Sequence, residues 1–325
     1  MVKAKEEMGG TRPTGAVWQA GGVTLHHNDA LVVMRALGDS SVDLVLTDPP
    51  YGHCTADNHD LISRVRHALG RVAPDAEEHR RPIANDGVEA DGLYRAMLIE
   101  AARVLVPGGV ICCCCSGGGS GLDQQYARWT LWMSGTPGLE FIQMVIWDKG
   151  SMGLGWRYRR SWEAVLVAQK KGAPYKWYDR SSRVENIIRP GAYGIRKIIP
   201  SADDHPTPKP WQLGAFFIRL HTQAGDIVLD PFMGHGPFGE AAVRESRNFI
   251  GVELSGEYFR VAQKRIAEAQ SQLHIPFAPT SESDGSSHKG AVGFQHSLPN
   301  PQSDGPDSSA RYEDASSGQD QDDES

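Results

Sequence analysis

The chain has 325 residues, of which 40% are hydrophobic and 22% are charged, and its formal net charge is −7 at pH 7. This length can bury the core of one large α/β domain or of two small ones, and no apolar run approaches the ~18 residues of a membrane span. The first ten residues lack the apolar segment of a secretory signal, and five cysteines, four of them consecutive, do not make a disulfide framework, so a cytoplasmic protein is expected.

After a predicted flexible leader at residues 1–20, short β-branched runs alternate with helical patterns. This alternation predicts an α/β fold, with a doubly wound, mostly parallel sheet and helices on both faces. The predicted strands are 23–27, 42–47, 110–115, 142–147, 162–168, 226–229 and 248–252. The predicted helices are 30–37, 92–105, 121–133, 209–222, 236–246 and 256–272. Residues 276–325, rich in Ser, Gly, Asp and Pro, are predicted to be a disordered acidic tail.

A Thr-Asp-Pro-Pro-Tyr-Gly sequence begins at the end of the strand 42–47. Ligands of a parallel sheet bind beyond the carboxyl ends of its strands, and the two prolines fix the turn without donating hydrogen bonds. Asp48 and the carbonyl of Pro49 thus offer two acceptors beside the ring of Tyr51, which suits an amino group on a flat ring. On these residues alone, a plain Pro-Pro turn explains the motif about as well.

A glycine-rich turn, Asp-Pro-Phe-Met-Gly-His-Gly-Pro-Phe-Gly, follows the predicted strand 226–229. Gly234, Gly236 and Gly239 give the pattern G-x-G-x-x-G at a helix start, and Glu253 follows the next strand. Such glycines let a ligand approach the backbone at a helix N-terminus, and the carboxylate can bind ribose hydroxyls. The pattern fits an adenosine-bearing cofactor, with a tight packing turn as the alternative.

A third motif, His-Pro-Thr-Pro-Lys-Pro at 205–210, leads into the predicted helix 209–222 and by itself indicates only a helix entry. Together and in this order, the three motifs resemble those of the S-adenosylmethionine-dependent DNA amino-methyltransferases. The catalytic motif precedes the cofactor motif, as in the β group of that family. The resemblance covers about 23–270 and includes shorter matches at Asn28-Asp29-Ala30, Val104–Gly109, Trp147-Asp148-Lys149, Glu163 and Gln169–Gly172.

The resemblance implies a Rossmann-like class I methyltransferase fold with a seven-stranded, mostly parallel sheet, in a domain at 21–273. It implies methyl transfer to the exocyclic N6 of adenine in a flipped base of double-stranded DNA, with N4 of cytosine as the alternative. The catalytic turn would consist of Asp48, Pro49, Pro50 and Tyr51. In it, Asp48 and the Pro49 carbonyl would hold the amino group while Tyr51 stacks on the base.

The implied cofactor is S-adenosylmethionine. The residues implied to surround it are Asp29, Asp48, His205, Thr207, Asp230, Phe232, Gly234, Gly236 and Glu253. Asp29 would lie near the adenine, Glu253 on the ribose, and His205 to Thr207 near the methionine end. The helix start departs from the family, because His235-Gly-Pro-Phe238 replaces the usual Ser-Gly-Thr-Thr and removes hydroxyls. Pro237 is acceptable in a first helical turn.

The segment 141–219 contains fourteen basic and six acidic residues, which indicates a DNA-binding surface. The residues predicted to contact DNA are Arg80, Arg81, Arg157, Arg159, Arg160, Lys170, Lys171, Lys176, Arg180 and Arg183. The family usually places target recognition before the His-Pro-Thr element, here at 171–204. Because that region is small, the long connection 52–91 is predicted to be a second DNA-facing part.

Other interpretations stay open at this point. A nicotinamide-dependent oxidoreductase would use the glycine pattern but leaves Asp-Pro-Pro-Tyr unexplained, and the altered helix start would suit a catalytically silent DNA-binding protein. Cys112 to Cys115 alternate faces on a predicted strand and do not make a tetrahedral metal site, so no metal is expected. The resemblance is compatible with a monomer or a homodimer, with or without a restriction endonuclease partner.

Overall fold

The computed structural model describes residues 15–52, 89–116, 125–151, 161–195 and 209–273. Within these residues the strands, numbered in chain order, are β1 (Val17–Ala20), β2 (Val23–His27), β3 (Val42–Thr47), β4 (Leu105–Ser116), β5 (Leu139–Asp148), β6 (Trp162–Lys170), β7 (Ile187–Ile188), β8 (Ile227–Asp230) and β9 (Asn248–Glu253). The helices are α1 (Ala30–Ala36), α2 (Ala90–Val104), α3 (Gln125–Gly135), α4 (Trp211–His221), α5 (Pro237–Arg244) and α6 (Gly256–Leu273).

The described strands form one sheet in the order β1-β2-β9-β8-β3-β4-β6-β5-β7. Strands β2, β9, β8, β3 and β4 are mutually parallel, whereas β6 is antiparallel to both β4 and β5. The seven strands from β2 to β5 in this order are the seven predicted from the sequence. The predicted α/β class and mostly parallel sheet are therefore confirmed.

Strand β1 was not predicted, and the flexible leader expected at 1–20 is wrong for its last residues. Val17–Ala20 pairs antiparallel with β2, and the Gln270 side chain of α6 donates to the Ala20 carbonyl at 2.8 Å. This strand buries little, since Val17 is 53% exposed. Pairing with β2 and the partly buried Trp18, rather than a run of fully buried side chains, hold it in place, which explains why hydrophobic patterning missed it.

Two buried clusters lie on opposite faces of the sheet. Helices α4, α5 and α6 pack on one face against side chains that include Leu44, Cys112 and Cys114. Helices α1, α2 and α3 pack on the other face with Cys113 and Cys115. The consecutive cysteines thus alternate between two apolar layers, as side chains of a central strand must. None of the helices in the described ranges is long and apolar enough to cross a membrane.

The altered helix start at α5 is accommodated by its neighbours. Gly236 is the N-cap with φ +80°, and Pro237 occupies the first turn, as the sequence predicted. Phe238 is buried against α4, where a Cβ atom on Gly214 would lie 2.7 Å from its ring. The phenylalanine that replaces a family hydroxyl residue therefore fills a space that Gly214 leaves.

Candidate active site

The two edges of the sheet differ in composition. The carboxyl ends of the parallel strands meet at one edge, and β6 brings its amino end there because it is antiparallel. We call this the carboxyl edge; it is bordered by His27, Thr47, Ser116, Glu163, Asp230 and Glu253. The opposite, amino edge is bordered by Val23, Val42, Leu105, Lys170, Ile227 and Asn248. Both predicted motif turns that the structure describes lie at the carboxyl edge.

The Asp48 carboxylate, directly after β3, is held by two donors. The Tyr51 hydroxyl donates to Asp48 Oδ1 at 2.5 Å, and Lys209 Nζ donates to Asp48 Oδ2 at 2.8 Å. The Asp48 side chain is 20% exposed, so part of it reaches solvent. A carboxylate has about four acceptor positions, so hydrogen-bonding capacity remains for a ligand.

The backbone of this turn is anchored to the end of β4. Gln125 Nε2 donates to the Tyr51 carbonyl at 2.6 Å, and Gln125 Oε1 accepts from the Ser116 amide at 3.0 Å. Gln125 is fully buried, and the Tyr51 ring meets the ring of Trp129 edge-on with centroids 6.2 Å apart. Gln125 therefore holds the backbone of Tyr51, while Trp129 contacts its ring.

Lys209 connects Asp48 to a second carboxylate. Its Nζ lies 3.0 Å from Glu163 Oε2 and 5.4 Å from the centroid of the Tyr51 ring, and its side chain is 3% exposed. Lys149 Nζ binds Glu163 Oε1 at 3.0 Å. Burial alone would raise the pKa of Glu163, but the charges of Lys209 and Lys149 outweigh it and lower that pKa to about 2. Burial likewise opposes the charge of Lys209, but Asp48 and Glu163 raise its pKa above the ordinary value.

Asp230 joins the two motif turns below the surface. Its Oδ1 accepts from Thr47 Oγ1 at 2.7 Å and from the Phe232 amide at 3.1 Å. Asp230 is 1% exposed, and burial raises its pKa to about 8. These hydrogen bonds hold the two turns together, and the contact of Asp230 with the cofactor stays a prediction.

Glu253 ties the glycine turn to the turn after β9. Its two carboxylate oxygens accept from the Gly234 amide at 3.0 Å and from the Ser255 amide at 2.7 Å. Burial raises the pKa of Glu253 to about 7, although its side chain is only partly covered. A carboxylate has about four acceptor positions, so Glu253 keeps acceptor capacity for a ribose hydroxyl.

The three glycines of the G-x-G-x-x-G pattern serve different purposes. Gly234 has φ +51°, and a Cβ atom placed there would meet nothing within 4 Å, so open space borders its backbone. A Cβ on Gly236 would lie 2.9 Å from Ala262 Cβ, and one on Gly239 would lie 2.4 Å from Ile266 Cδ1. Close ligand approach is thus available at Gly234, beside the acceptors of Glu253, and this arrangement fits an adenosine-bearing cofactor. Gly236 and Gly239 let α5 pack against α6.

Asp29 and Phe232 lie beside this turn. The Asn28 amide donates to the Glu253 carbonyl at 3.1 Å, which places the start of α1 next to Glu253. Asp29 Oδ1 caps α1 by accepting from the Leu31 amide at 2.9 Å and the Val32 amide at 3.1 Å. Phe232 is partly buried and packs against the same apolar cluster as Tyr51.

Three of the residues predicted to contact DNA are lysines near the amino edge of the sheet. Lys170 ends β6 and donates to the Arg103 carbonyl at 2.9 Å, while Lys176 binds Asp43 at 2.7 Å near the start of β3. Lys171 follows Lys170, and its amide binds the Gly138 carbonyl. Because β6 is antiparallel, its seven residue steps from Glu163 carry the chain about 23 Å away from the carboxyl edge. These three lysines therefore lie away from the Asp48 turn, and their contact with DNA stays a prediction.

The remaining predicted residues divide into two groups. Arg180 and Arg183 are exposed. Those outside the described residues are Arg80, Arg81, Arg157, Arg159, Arg160, His205 and Thr207. Sequence reasoning also missed the roles of Gln125, Lys209 and Glu163. Lys209 lies in the third motif and Glu163 in one of the shorter matches, but their spacing in the sequence does not predict that they form an ion pair.

Comparison with known proteins decides the family. The N6/N4 methyltransferase family model, described as DNA methylase, matches residues 42–264. This chain belongs to that family. It is 26% identical over 302 residues to the type II methyltransferase M2.DpnII of Streptococcus pneumoniae, a match that covers 84% of this chain and 100% of the relative. It is 34% identical over 125 residues to the type II methyltransferase M.HhaII of Haemophilus parahaemolyticus, covering 38% of this chain and 50% of that protein.

Solved structures agree with this DNA methylase in fold. TTHA0409 of Thermus thermophilus, solved with S-adenosyl-L-methionine, has a TM-score of 0.53 and 22% identity over 76% of this chain and 95% of its own. The cytosine-N4-specific PvuII DNA methyltransferase has a TM-score of 0.54 and 20% identity over 77% and 92%. The predicted class I fold and the prediction of a DNA amino-methyltransferase are confirmed. The oxidoreductase alternative is thereby set aside.

Proposed function

We propose that this DNA methylase transfers a methyl group from S-adenosylmethionine to N6 of adenine in double-stranded DNA. The observation that carries the proposal is the Asp48 turn, which presents a carboxylate at the carboxyl edge with its orientation fixed by Tyr51 and Lys209. An aspartate as first residue of the motif supports adenine. N4 of cytosine is the second candidate, because the same acceptors suit both amino groups and the PvuII enzyme of the same fold is cytosine-N4-specific.

The exocyclic nitrogen is a poor nucleophile, because its lone pair is delocalised into the ring. Asp48 and the Pro49 carbonyl would accept its two N–H groups and favour a pyramidal nitrogen. They would also stabilise the positive charge that develops on nitrogen as the methyl group is transferred. Such contacts strengthen in the transition state and need no covalent nucleophile.

The target base must leave the duplex, since its amino group is otherwise unreachable in line, at a cost of a few kcal/mol. Stacking on Tyr51 would offset about 1–3 kcal/mol of this cost. The Tyr51 ring is ready for this role because Trp129 and the hydroxyl bond to Asp48 fix its orientation. The base would therefore enter a turn that needs little rearrangement.

S-adenosylmethionine, when bound, supplies an electrophilic methyl group on a positively charged sulfur. Glu253 would accept its ribose hydroxyls, and the open backbone at Gly234 would lie against it. Asp29 and Phe232 would complete the adenosine side, with His205 and Thr207 toward the methionine end. Gly236 would line the pocket beside Gly234, and Asp230 would shape the turn that forms it.

Arg180 and Arg183 are proposed to contact DNA, together with the arginines predicted at 80–81 and 157–160. The type II designation of the relatives supports a role in restriction-modification beside an endonuclease. We also propose a monomer or a homodimer, which light scattering of the purified protein distinguishes.

The test is incubation with unmethylated DNA and labelled S-adenosylmethionine, followed by mass spectrometry of the nucleosides. N6-methyladenine is the expected product. Detection of N4-methylcytosine instead would overturn the choice of base, and the absence of any methylated nucleoside would overturn the proposed activity.

A further inference from the structure

The lysine that binds the Asp48 carboxylate also contacts a second carboxylate, that of Glu163. Lys209 Nζ lies 2.8 Å from Asp48 Oδ2 and 3.0 Å from Glu163 Oε2. We propose that Glu163 is a positioning residue for methyl transfer, which fixes and neutralises Lys209 so that Lys209 holds Asp48 toward the target amino group. This inference rests on the role proposed above for Asp48.

The position of Glu163 is set by the sheet rather than by a loop. It lies near the start of β6, opposite Ser116 of β4 and Trp147 of β5. Its carboxylate is 15% exposed and is also held by Lys149 at 3.0 Å. A group on a strand between two paired neighbours has a well-defined position, which is what a supporting contact to an active-site residue requires.

The buried ammonium group of Lys209 has two carboxylates and an aromatic ring within reach. An ammonium group has three N–H donors. In Lys209 this group lies within reach of Asp48, of Glu163 and of the Tyr51 ring face at 5.4 Å. With 3% of its side chain exposed, water does not offer an alternative set of acceptors. Removing one carboxylate would free this ammonium to move relative to the other.

The negative charge of Glu163 is a second argument for its role in methyl transfer. An unbalanced cation beside Asp48 would oppose the positive charge that develops on the amino nitrogen, and charges interact strongly in a site screened from water. Glu163 offsets the charge of Lys209, so the negative charge of Asp48 stays available to the transition state. Loss of Glu163 should therefore weaken transition-state binding more than cofactor binding, which lowers kcat and leaves KM nearly unchanged.

The decisive variant is Glu163→Gln, which keeps the side-chain shape and removes its charge. We expect kcat to fall about 10- to 100-fold, as for a small misplacement of a reacting group, with the KM for S-adenosylmethionine within about twofold of wild type. Total transfer from tritium-labelled S-adenosylmethionine to unmethylated genomic DNA measures this whichever base is modified. Thermal unfolding of each variant is recorded in parallel.

Glu100→Gln is the matched control. Glu100 is also 15% exposed and faces two cations, Arg103 at 2.9 Å and Arg35 at 3.8 Å, but it lies on α2 away from the carboxyl edge. Its kcat should equal that of the wild type. A second test places Glu163→Gln in a Lys209→Met background. If Glu163 acts through Lys209, it should not lower kcat further there, because contacting residues of one network are non-additive.

Three results would overturn the inference. They are an unchanged kcat in Glu163→Gln, a raised KM with kcat intact, and a loss of activity that follows a fall in unfolding temperature equally in Glu163→Gln and Glu100→Gln. Asp48→Ala separates this failure from failure of the proposed function. An active Asp48→Ala enzyme refutes the role of Asp48 itself, whereas an inactive one beside a fully active Glu163→Gln enzyme refutes only the role of Glu163.

Discussion

Asp230 links the stability of this DNA methylase to pH. Its carboxyl group is 1% exposed, and burial raises its pKa from an ordinary value of 3.8 to about 8. Between these two values the folded chain binds a proton at Asp230 that the unfolded chain has released. Stability contributed by the protonated group is therefore complete below about pH 4 and is lost progressively as the pH rises toward 8.

Asp230→Asn removes this titration with little change of shape. The amide oxygen can still accept from Thr47 Oγ1 and the Phe232 amide, and its N–H group replaces the proton of the neutral carboxyl. One proton of difference between the two states corresponds to about 1.4 kcal/mol per pH unit. Allowing for relaxation around the ionised group, we expect the variant to gain about 1 kcal/mol over the wild type per pH unit from pH 5 to 7.

Urea unfolding at pH 5, 6, 7 and 8 measures this difference in the free energy of unfolding. Asp39→Asn, which removes a carboxylate that is 76% exposed, is unfolded in parallel as the control. A difference between Asp230→Asn and wild type that does not change with pH would refute the assignment of a buried, protonated carboxyl to Asp230.

Three further predictions concern single contacts. Asp48→Ala should lower kcat by at least about 100-fold, as for loss of a transition-state contact, while DNA affinity in a gel-shift assay stays the same; near-normal turnover would contradict it. Gly234→Ala should weaken S-adenosylmethionine binding about tenfold by calorimetry, because its methyl group enters the open space at the turn, and unchanged affinity would place the cofactor elsewhere. Gly214→Ala should cost about 1–3 kcal/mol of stability through overpacking against Phe238, measured by urea unfolding, and equal stability would show that the ring can shift.

The sheet could be predicted from the sequence because its central strands bury side chains on both faces. An uninterrupted apolar run such as Cys112–Cys115 indicates a strand that is buried on both faces of the sheet. Strands β1 and β7 escaped prediction for the opposite reason. Val17 and Ile187 are exposed, and β7 has only two residues, of which Ile188 is buried, so hydrophobic periodicity does not reveal the backbone pairing that defines these edge strands.

The motif turns could be predicted because each directly follows a strand. Asp48, Gly234 and Glu253 lie where parallel strands end, and parallel strands end at one edge. The partners of Asp48 could not be predicted in the same way. Lys209 is 161 positions away from Asp48 along the chain, and its ion pairs arise only when α4 packs beside β3. The sequence around a lysine at the start of a helix does not indicate which carboxylate it will bind in the folded chain.

Strand β6 shows why charge counted along the sequence does not by itself locate a DNA-binding surface. Its antiparallel direction brings Glu163 to the carboxyl edge and takes Lys170 to the amino edge. Residues close together in a basic segment thus lie at opposite edges of the sheet. Lys170 and Lys176 also bind groups within the protein. Arg189 follows β7 at the carboxyl end of β5 and is 60% exposed. Strand direction decides which charged residues lie at the same edge of the sheet. A basic surface beside the Asp48 turn is therefore identified from the residues at the carboxyl edge rather than from charge along the sequence.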